Sequence, residues 1–575
     1  MISAQRLGRR SLVLGAAPVA SVLTALAFAL PAAEAAPKQP PSYAVASESA
    51  AATREASKLL EAGGNAIDAA VCAALVAGIT SPSSSGIGGG GFALVWSARD
   101  RTARVLDFRE TAPAAVDAAL LEQRPLPEAK RGQSVGVPGE IAGLFELHQR
   151  YGKTPWPDVV GRAARIASQG FAAEPHTAEQ LEGQKASPIA RSATFKATYL
   201  PRGEPAKTGT SLRASKLAAT LRLLAAQGKR AYYEGRVARD IVSTVAAAGG
   251  GMTLADLSAY KPVDREPLRV AWEGKEVLTM PPPSAGGMLL AQTLSLFSKA
   301  ELAALASTPA KRIHLLAEAM RGSFADRARY LGDPALTSVD MAKLLAPGRM
   351  RARKALLAED RTHTQPRFGL EESGTHHLVT ADQEGNWVTL TTTVNGPFGA
   401  KLMAEQSGII LNNQLEDFTP SASLAVFGAL QNPNAARPGA RPTSSMAPTL
   451  VLDAGAPVLA LGGSGGTAIA PIVAQALLLR LVDGASPEVA VSAPRFSIPA
   501  PSSGQTLTLE TLLAKAFGSD LEQRGELWRS RDSKAAVQMI AREDGVFLAG
   551  ADPRKQGLAR SQSSVAAPAP GVAVQ

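Results

Sequence analysis

Thr375 opens a segment whose spacing can bring hydroxyls together. Two strand-like runs, 376–380 and 387–395, flank Asp382-Gln-Glu-Gly-Asn386, the pattern of a β-hairpin around a polar turn. Centring the turn on Glu384 sets Thr375 directly opposite Thr393. Facing Cβ atoms lie about 4.5–5.5 Å apart, within which two hydroxyls can hydrogen-bond. Two-residue alternation puts Thr389, Thr391, Thr393 and Asn395 on one face, which lines one edge of the sheet with hydroxyls and an amide. Val388, Leu390 and Val394 are left for the core. A hydroxyl of this kind becomes a nucleophile only with a base nearby. Threonine-rich strands are also simply good strands, and one bulge would break the register.

Other residues carry chemistry of their own. Gly462-Gly-Ser-Gly-Gly466 lies between a strand, 458–461, and an apolar helix, 470–481. Glycines there let backbone N–H groups approach a ligand closely. No Lys-Ser/Thr pair follows, so it is not a phosphate loop. Taken alone, Arg109 reads as one half of a surface ion pair and Asp417 as a turn residue. His376 and His377 are neighbours on a strand, so they point to opposite faces and do not chelate one metal ion together.

Several elements must position these groups. Helical spacing of apolar residues marks 55–60 and 66–79, separated by Gly63-Gly64 with Asn65 as a cap. A Ser/Gly loop, 81–91, leads into strands at 92–96 and 103–108. The middle, 139–335, is mainly helical, with clear helices at 140–151, 156–169, 215–227 and 311–329, and a short strand at 277–280. Residues 355–374 are polar and irregular, and the character switches to strand after Thr375.

The 575 residues allow a large core, with an ordinary globular balance of 45% hydrophobic and 19% charged side chains. The net charge of +10 is spread thinly, without dense Lys/Arg runs or interleaved aromatics, which argues against a nucleic-acid partner. Cys72 is the sole cysteine, so no intrachain disulfide forms, and its apolar surroundings make it a buried, inert thiol. At the N-terminus, Arg6, Arg9 and Arg10 precede an apolar run, 11–30, and the small-x-small site Ala33-Glu34-Ala35. That pattern is a signal peptide cleaved near Ala35, with a hint of twin-arginine export. No later stretch is long and apolar enough to span a membrane.

Thr375-His-His377-Leu-Val-Thr-Ala-Asp-Gln-Glu-Gly-Asn resembles the start of the small subunit of γ-glutamyltranspeptidases, which begins with a Thr-x-His pattern. Similar stretches follow at Ser407-Gly-Ile-Ile-Leu-Asn-Asn-Gln-Leu-Glu-Asp417-Phe, Arg441-Pro-Thr-Ser444-Ser445-Met-Ala-Pro, Gly463-Ser-Gly465-Gly466 and Ala551-Asp-Pro-Arg554. Upstream, Glu61-Ala-Gly-Gly-Asn65, Gly88-Gly-Gly-Gly-Phe92, Asp107-Phe-Arg109-Glu, Pro281-Pro-Pro-Ser-Ala-Gly-Gly and Ala325-Asp-Arg-Ala-Arg-Tyr-Leu-Gly-Asp-Pro334 are similar to the family's large subunit. Each stretch alone is weak; their order from about 43 to 554 is specific.

The resemblance implies an α+β fold, a four-layer αββα sandwich of the N-terminal-nucleophile hydrolase type. It is built from two chains after self-cleavage between Gly374 and Thr375. The expected parts are a signal peptide, 1–35, a large subunit, 36–374, and a small subunit, 375–575, with a disordered tail from about 560. Thr375 would be the nucleophile and its freed α-amine the base. Thr393 would orient Thr375, and the N–H groups of Gly465 and Gly466 would form the oxyanion hole. Arg109 would hold the α-carboxylate of a γ-glutamyl substrate, helped by Ser444 and Ser445, while Asn395, Gln414 and Asp417 would take its α-amino group. Donors would be glutathione or other γ-glutamyl compounds; acceptors would be water, amino acids or peptides. No metal or organic cofactor is implied.

The mature heterodimer would be periplasmic or secreted. The sequence departs from the family at His376, Val379 and Gly396-Pro397, and at Phe427, where a lid tyrosine is expected within 419–434. A same-fold glutaryl-cephalosporin acylase is the nearest rival, and a non-catalytic periplasmic binding protein is the rival from another class.

Overall fold

The computed structural model describes residues 42–362, 374–421, 424, 431–498 and 506–563. The expected signal peptide and Phe427 lie outside them.

Strand and polar turn after Gly374, residues 375–393, set the centre of the first sheet. In chain order the strands of the two large sheets, with one strand of a small third sheet (β11), are β1 (Tyr43–Ser47), β2 (Gly90–Ser97), β3 (Thr102–Asp107), β4 (Val263–Arg265), β5 (Leu268–Trp272), β6 (Lys275–Thr279), β7 (Thr375–Asp382), β8 (Trp387–Thr393), β9 (Thr449–Asp453), β10 (Ala456–Ser464), β11 (Trp528–Ser530), β12 (Ala536–Glu543), β13 (Val546–Ala551) and β14 (Leu558–Gln562). The first sheet runs β14-β1-β7-β8-β2-β3-β4 and the second β13-β12-β10-β9-β6-β5, with every neighbouring pair antiparallel. β11 belongs to a separate small sheet.

The hairpin β7–β8 has the expected register: Thr375 pairs with Thr393 and Ala381 with Trp387. Gly385 at φ +90 makes the turn, a backbone conformation that favours glycine. β7 and β8 pack face to face against β10, so the two sheets form a sandwich. Thr389 on β8 donates its hydroxyl to the Leu461 carbonyl on β10, at 3.1 Å. The hydroxyl-bearing face of β8 is therefore buried between the sheets, not set along an exposed edge. Hydroxyls and one imidazole fill it because they satisfy one another there.

Helices cover the outer faces. α1 (Ala50–Glu61), α2 (Ala66–Thr80), α3 (Glu140–Tyr151), α4 (Trp156–Gln169), α5 (Pro175–Glu182) and α6 (Ser215–Gln227) belong to the side of the first sheet, where Val388 and Leu390 join their core. α7 (Gly286–Leu296), α8 (Pro309–Tyr330), α9 (Ile469–Leu481) and α10 (Thr511–Gln523) belong to the second. The order of layers is helices, sheet, sheet, helices. α2 is apolar on every side and wholly buried, as a central helix must be. Asn65 caps it through a reciprocal box with Asp68. Cys72 lies inside it, its thiol pushed up to about 12 by burial.

Two regions differ from their composition. Where a tail is expected from about 560, residues 558–562 pair with β1 as β14, and 564–575 lie outside the described residues. Edge pairing uses backbone groups, which a polar composition such as Ala559-Arg-Ser-Gln does not reveal. The glycine run 462–466 is not all loop: Gly462 and Gly463 lie in β10, paired with β12. A Cβ on Gly462 would stand 2.3 Å from His377 Cε1, so the ring excludes any side chain there. Among the described residues no helix is long and apolar enough to cross a membrane.

Candidate active site

Thr375 is the first residue of β7 and is 5% exposed. Before it, Gly374 takes φ +104, and a Cβ there would meet the Asn395 carbonyl oxygen at 2.3 Å. Opposite stands Thr393. Its hydroxyl donates to the Gly374 carbonyl at 2.7 Å and accepts from the Asn395 N–H at 2.9 Å. The two threonine Oγ1 atoms are 3.4 Å apart. Thr393 has one proton, already given to Gly374, so Thr375 is the donor in this contact.

A buried cation holds the same residue from behind. Lys555 Nζ donates to the Thr375 carbonyl (2.9 Å), to Glu48 Oε2 (2.8 Å) and to Ser464 Oγ (2.7 Å). Glu48 Oε1 accepts from the His377 N–H at 3.0 Å. Burial raises the Glu48 carboxyl above its ordinary value while Lys555 opposes that shift. Lys555, Glu48 and Ser464 escaped the sequence reading. Lys555 does directly follow the quoted Ala551-Asp-Pro-Arg554, and that adjacency was the available signal.

The histidines point to opposite faces, as strand alternation requires. His377 Nδ1 is 2.8 Å from Thr391 Oγ1 and Nε2 is 3.2 Å from Thr389 Oγ1. Burial depresses its pKa to about 3, so the ring is neutral. Thr389 gives its proton to Leu461, hence Nε2 carries the ring hydrogen and Nδ1 accepts from Thr391. His376 is buried with no hydrogen bond to either ring nitrogen among the described residues. Burial, then Lys555, holds its pKa well below the usual value. Neither ring is a general base near neutral pH.

Gly465 and Gly466 form the turn from β10 to α9, at φ +125 and +63. A Cβ on Gly465 would lie 2.4 Å from the Ala535 Cβ, so both conformation and space demand glycine. They precede a helix whose first N–H groups have no intrahelical acceptor. Gly374 and Gly465 both line one cavity of about 390 Å³.

Arg109 is 1% exposed just past β3. Its Nη2 donates to Asp417 Oδ2 (2.5 Å) and to the Thr443 carbonyl (2.9 Å), and Nε to the Pro442 carbonyl (3.3 Å). Gln414 Nε2 donates to the same Asp417 oxygen at 2.5 Å. A cation and an anion are thus kept together in a buried pair, complementary to a zwitterion. Ser444 and Ser445 follow the two carbonyls that hold Arg109. Ser444 Oγ accepts from the Met446 N–H (3.1 Å), and Ser445 Oγ accepts from Arg327 (2.5 Å). Asn395, at φ +72, reaches the Asn413 carbonyl at 3.1 Å, one residue before Gln414. Asn395 thereby links the threonine pair to the Arg109–Asp417 pair. The segment 419–434 is fastened at both ends: Thr419 N–H donates to the Asn434 carbonyl (3.0 Å), and Asn434 Nδ2 to that of Asp417 (2.7 Å).

Two further carboxyls lie buried nearby, unforeseen from sequence. Glu110 has no hydrogen-bond partner for either oxygen among the described residues, and burial raises its pKa to about 8, with Arg109 opposing. Glu140 is raised to about 8 by burial, against the 2.6 Å hydrogen bond from Thr392. Both are largely protonated at neutral pH. Among the described residues no group of three or more His, Cys, Asp or Glu could hold a metal ion.

A family model for gamma-glutamyltranspeptidase matches residues 52–561. The chain is 35% identical over 543 residues to glutathione hydrolase 2 of Arabidopsis thaliana, covering 90% of this chain and 93% of that protein. It is 33% identical over 528 residues to the glutathione hydrolase proenzyme of Escherichia coli (strain K12), covering 89% and 90%. Among solved structures, the cephalosporin acylase from Bacillus halodurans superposes with a TM-score of 0.79 at 25% identity, covering 91% of this chain and 96% of that one.

Proposed function

The chain belongs to the γ-glutamyltranspeptidase family, and we propose that it is a glutathione hydrolase and γ-glutamyltransferase that works through Thr375. The observation that carries this reading is the Thr375–Thr393 pair at 3.4 Å, with Thr393 donating to the Gly374 carbonyl. That hydrogen bond polarises the carbonyl that Thr375 Oγ would attack in self-cleavage. Cleavage would free the Thr375 α-amine, whose pKa of about 8 makes it a base near neutral pH.

In turnover, Oγ attacks the γ-carbonyl of the donor and the α-amine takes its proton. The N–H groups of Gly465 and Gly466 steady the oxyanion. The C–N bond breaks, and the leaving amine carries the proton away. Water or an acceptor amine then releases the acyl group. Arg109 takes the donor's α-carboxylate, aided by Ser444 and Ser445. Asp417 takes its α-amino group with Asn395 and Gln414.

The same reading gives a leader, 1–35, removed on export to the periplasm or beyond, and two subunits, 36–374 and 375–575, joined as a heterodimer. The test is intact mass and N-terminal sequencing of the purified protein, followed by a γ-glutamyl transfer assay. Two chains, the smaller starting Thr375-His-His-Leu, with turnover, support it. One uncut, inert chain overturns it in favour of the binding-protein alternative.

The acylase reading draws on the superposition with a cephalosporin acylase. The Arg109–Asp417 pair fits an amino acid head group better than the single carboxylate of a glutaryl chain. Turnover of a glutaryl β-lactam in preference to a γ-glutamyl amide would reverse that ranking.

A further inference from the structure

We propose that the cavity between Arg131 and Lys401 binds a dianionic group on a small organic molecule, either a phosphate ester or a pair of neighbouring carboxylates. The site is separate from that of acyl transfer and does not depend on the reading above.

The cavity holds about 630 Å³, a size that takes a small organic ligand. It shares no lining residue with the recess at Gly374 and Gly465, and none of the residues given a role in acyl transfer lines it. Its wall carries the cations Arg131, Arg191 and Lys401 and the acids Glu128 and Glu405. Both acids are already used. Glu128 pairs with Arg191 at the exposed rim. Glu405 accepts from the Ala193 N–H with Oε1 and from the Thr194 N–H with Oε2, each at 3.0 Å.

Arg131 and Lys401 are left over. Both are half-buried, and neither has an ion-pair partner among the described residues. Arg131 belongs to a short 3-10 helix, Glu128–Ser134, and its Nε is buried with no hydrogen-bond partner among the described residues. Lys401 closes the loop that leaves β8, at φ +59, a backbone conformation costly for a lysine. Its ammonium gives one proton to the Pro397 carbonyl and stands 5.3 Å from the centre of the Phe398 ring. Two protons remain for a ligand. Burial, and after it repulsion from Arg131, lowers the Lys401 pKa to about 8. The ammonium form still prevails at neutral pH, so two cations face one recess and repel each other.

A group of charge −2 between them relieves that repulsion. The Arg131 fork matches two of its oxygens, and Lys401 adds a point charge. Ala129, Ile189, Leu402 and Met403 make up an apolar part of the same wall, which suits the organic body behind the anion.

The experiment titrates the purified protein with inorganic phosphate, glycerol 3-phosphate and malonate by calorimetry, at neutral pH and constant ionic strength. Limited acetylation read by peptide mass follows Lys401 in the same buffers. One equivalent should bind per chain, and ligand at about ten times Kd should slow Lys401 acetylation about tenfold, as mass action requires. Arg131→Gln and Lys401→Gln should each weaken binding about tenfold or more, the worth of one charge-assisted hydrogen bond. Melting temperatures without ligand check both folds. Arg131→Gln is the deciding variant, because Lys401 also fastens its own loop. Tighter binding of glycerol 3-phosphate than of malonate assigns a phosphate ester, and the reverse order assigns a dicarboxylate. Absence of binding, protection of Lys401 equalled by sodium chloride or by uncharged glycerol, or an affinity unmoved in Arg131→Gln overturns the proposal.

Discussion

The Thr393 hydroxyl donates to the Gly374 carbonyl at 2.7 Å, which leaves it an acceptor towards Thr375. Loss of Gly374 by cleavage would release that proton and turn Thr393 into a donor to Thr375. One hydroxyl then serves two reactions in succession: it polarises the scissile carbonyl, and afterwards it orients the nucleophile. Thr393→Ala should slow both self-cleavage and turnover by about 10²–10³-fold, the cost of removing one preorganised donor. Thr393→Ser should restore both. Band shift on denaturing gels over time and steady-state kinetics measure the two effects separately; an alanine variant that matures at the wild-type rate would remove the first role.

Lys555 and Glu48 are a buried pair, and one member cannot be lost cheaply. Lys555→Met should destabilise the protein by about 3–5 kcal/mol, because the Glu48 carboxylate is left uncompensated away from water. Adding Glu48→Gln should recover part of that loss. Denaturant midpoints of the wild type, both single variants and the double variant give the coupling; additive effects would show that the pair does not act as a unit.

Arg109→Lys should be far from conservative. A lysine offers a point charge where Arg109 reaches Asp417 and two carbonyls at once. The expected fall in kcat/KM is about 100-fold, carried mainly by KM, since the head-group contact is made before and during reaction alike. An unchanged KM would move the head group elsewhere.

Glu110 and Glu140 predict a pH signature. Their folded pKa values, about 8, lie above the ordinary 4.5. Between these values the unfolded chain has lost the protons and the folded one keeps them, so stability falls as pH rises from about 4.5 to about 8. His377, depressed to about 3, acts in the opposite sense: its contribution is lost as pH falls from about 6.5 to about 3. Glu110→Gln with Glu140→Gln should flatten the alkaline limb and leave the acid limb in place. Urea midpoints from pH 4 to pH 8.5 decide it, and parallel curves would show that neither carboxyl is neutral in the fold.

The hairpin register was legible because turn chemistry and two-residue alternation are local, and they set Thr375 opposite Thr393. Helices α2, α3, α4 and α6 were legible from apolar spacing and caps for the same reason. Lys555 was not, since its partner Glu48 is 507 residues away and nothing local marks a charge for burial. The neutral state of Glu110 was equally hidden, because desolvation is a property of what packs around it. The strand character of Gly462 was hidden by composition: a glycine run resembles a loop until the His377 ring is found lying against it. The order β14-β1-β7-β8-β2 needed pairing between distant segments that no period in the sequence encodes.

That order also decides what a backbone cut at Gly374–Thr375 can achieve. β1, from before the cut, lies between β14 and β7, both from after it, while β8 is bound on its far side to β2. At the centre of the first sheet the two pieces are dovetailed like interlaced fingers, so neither holds that sheet together without the other. Scission would give Thr375 a free amine and Gly374 a free carboxylate while those strand pairings hold. Exchange of pieces between molecules would require melting both, so a mature pair should stay with the partner it was born with for the life of the protein.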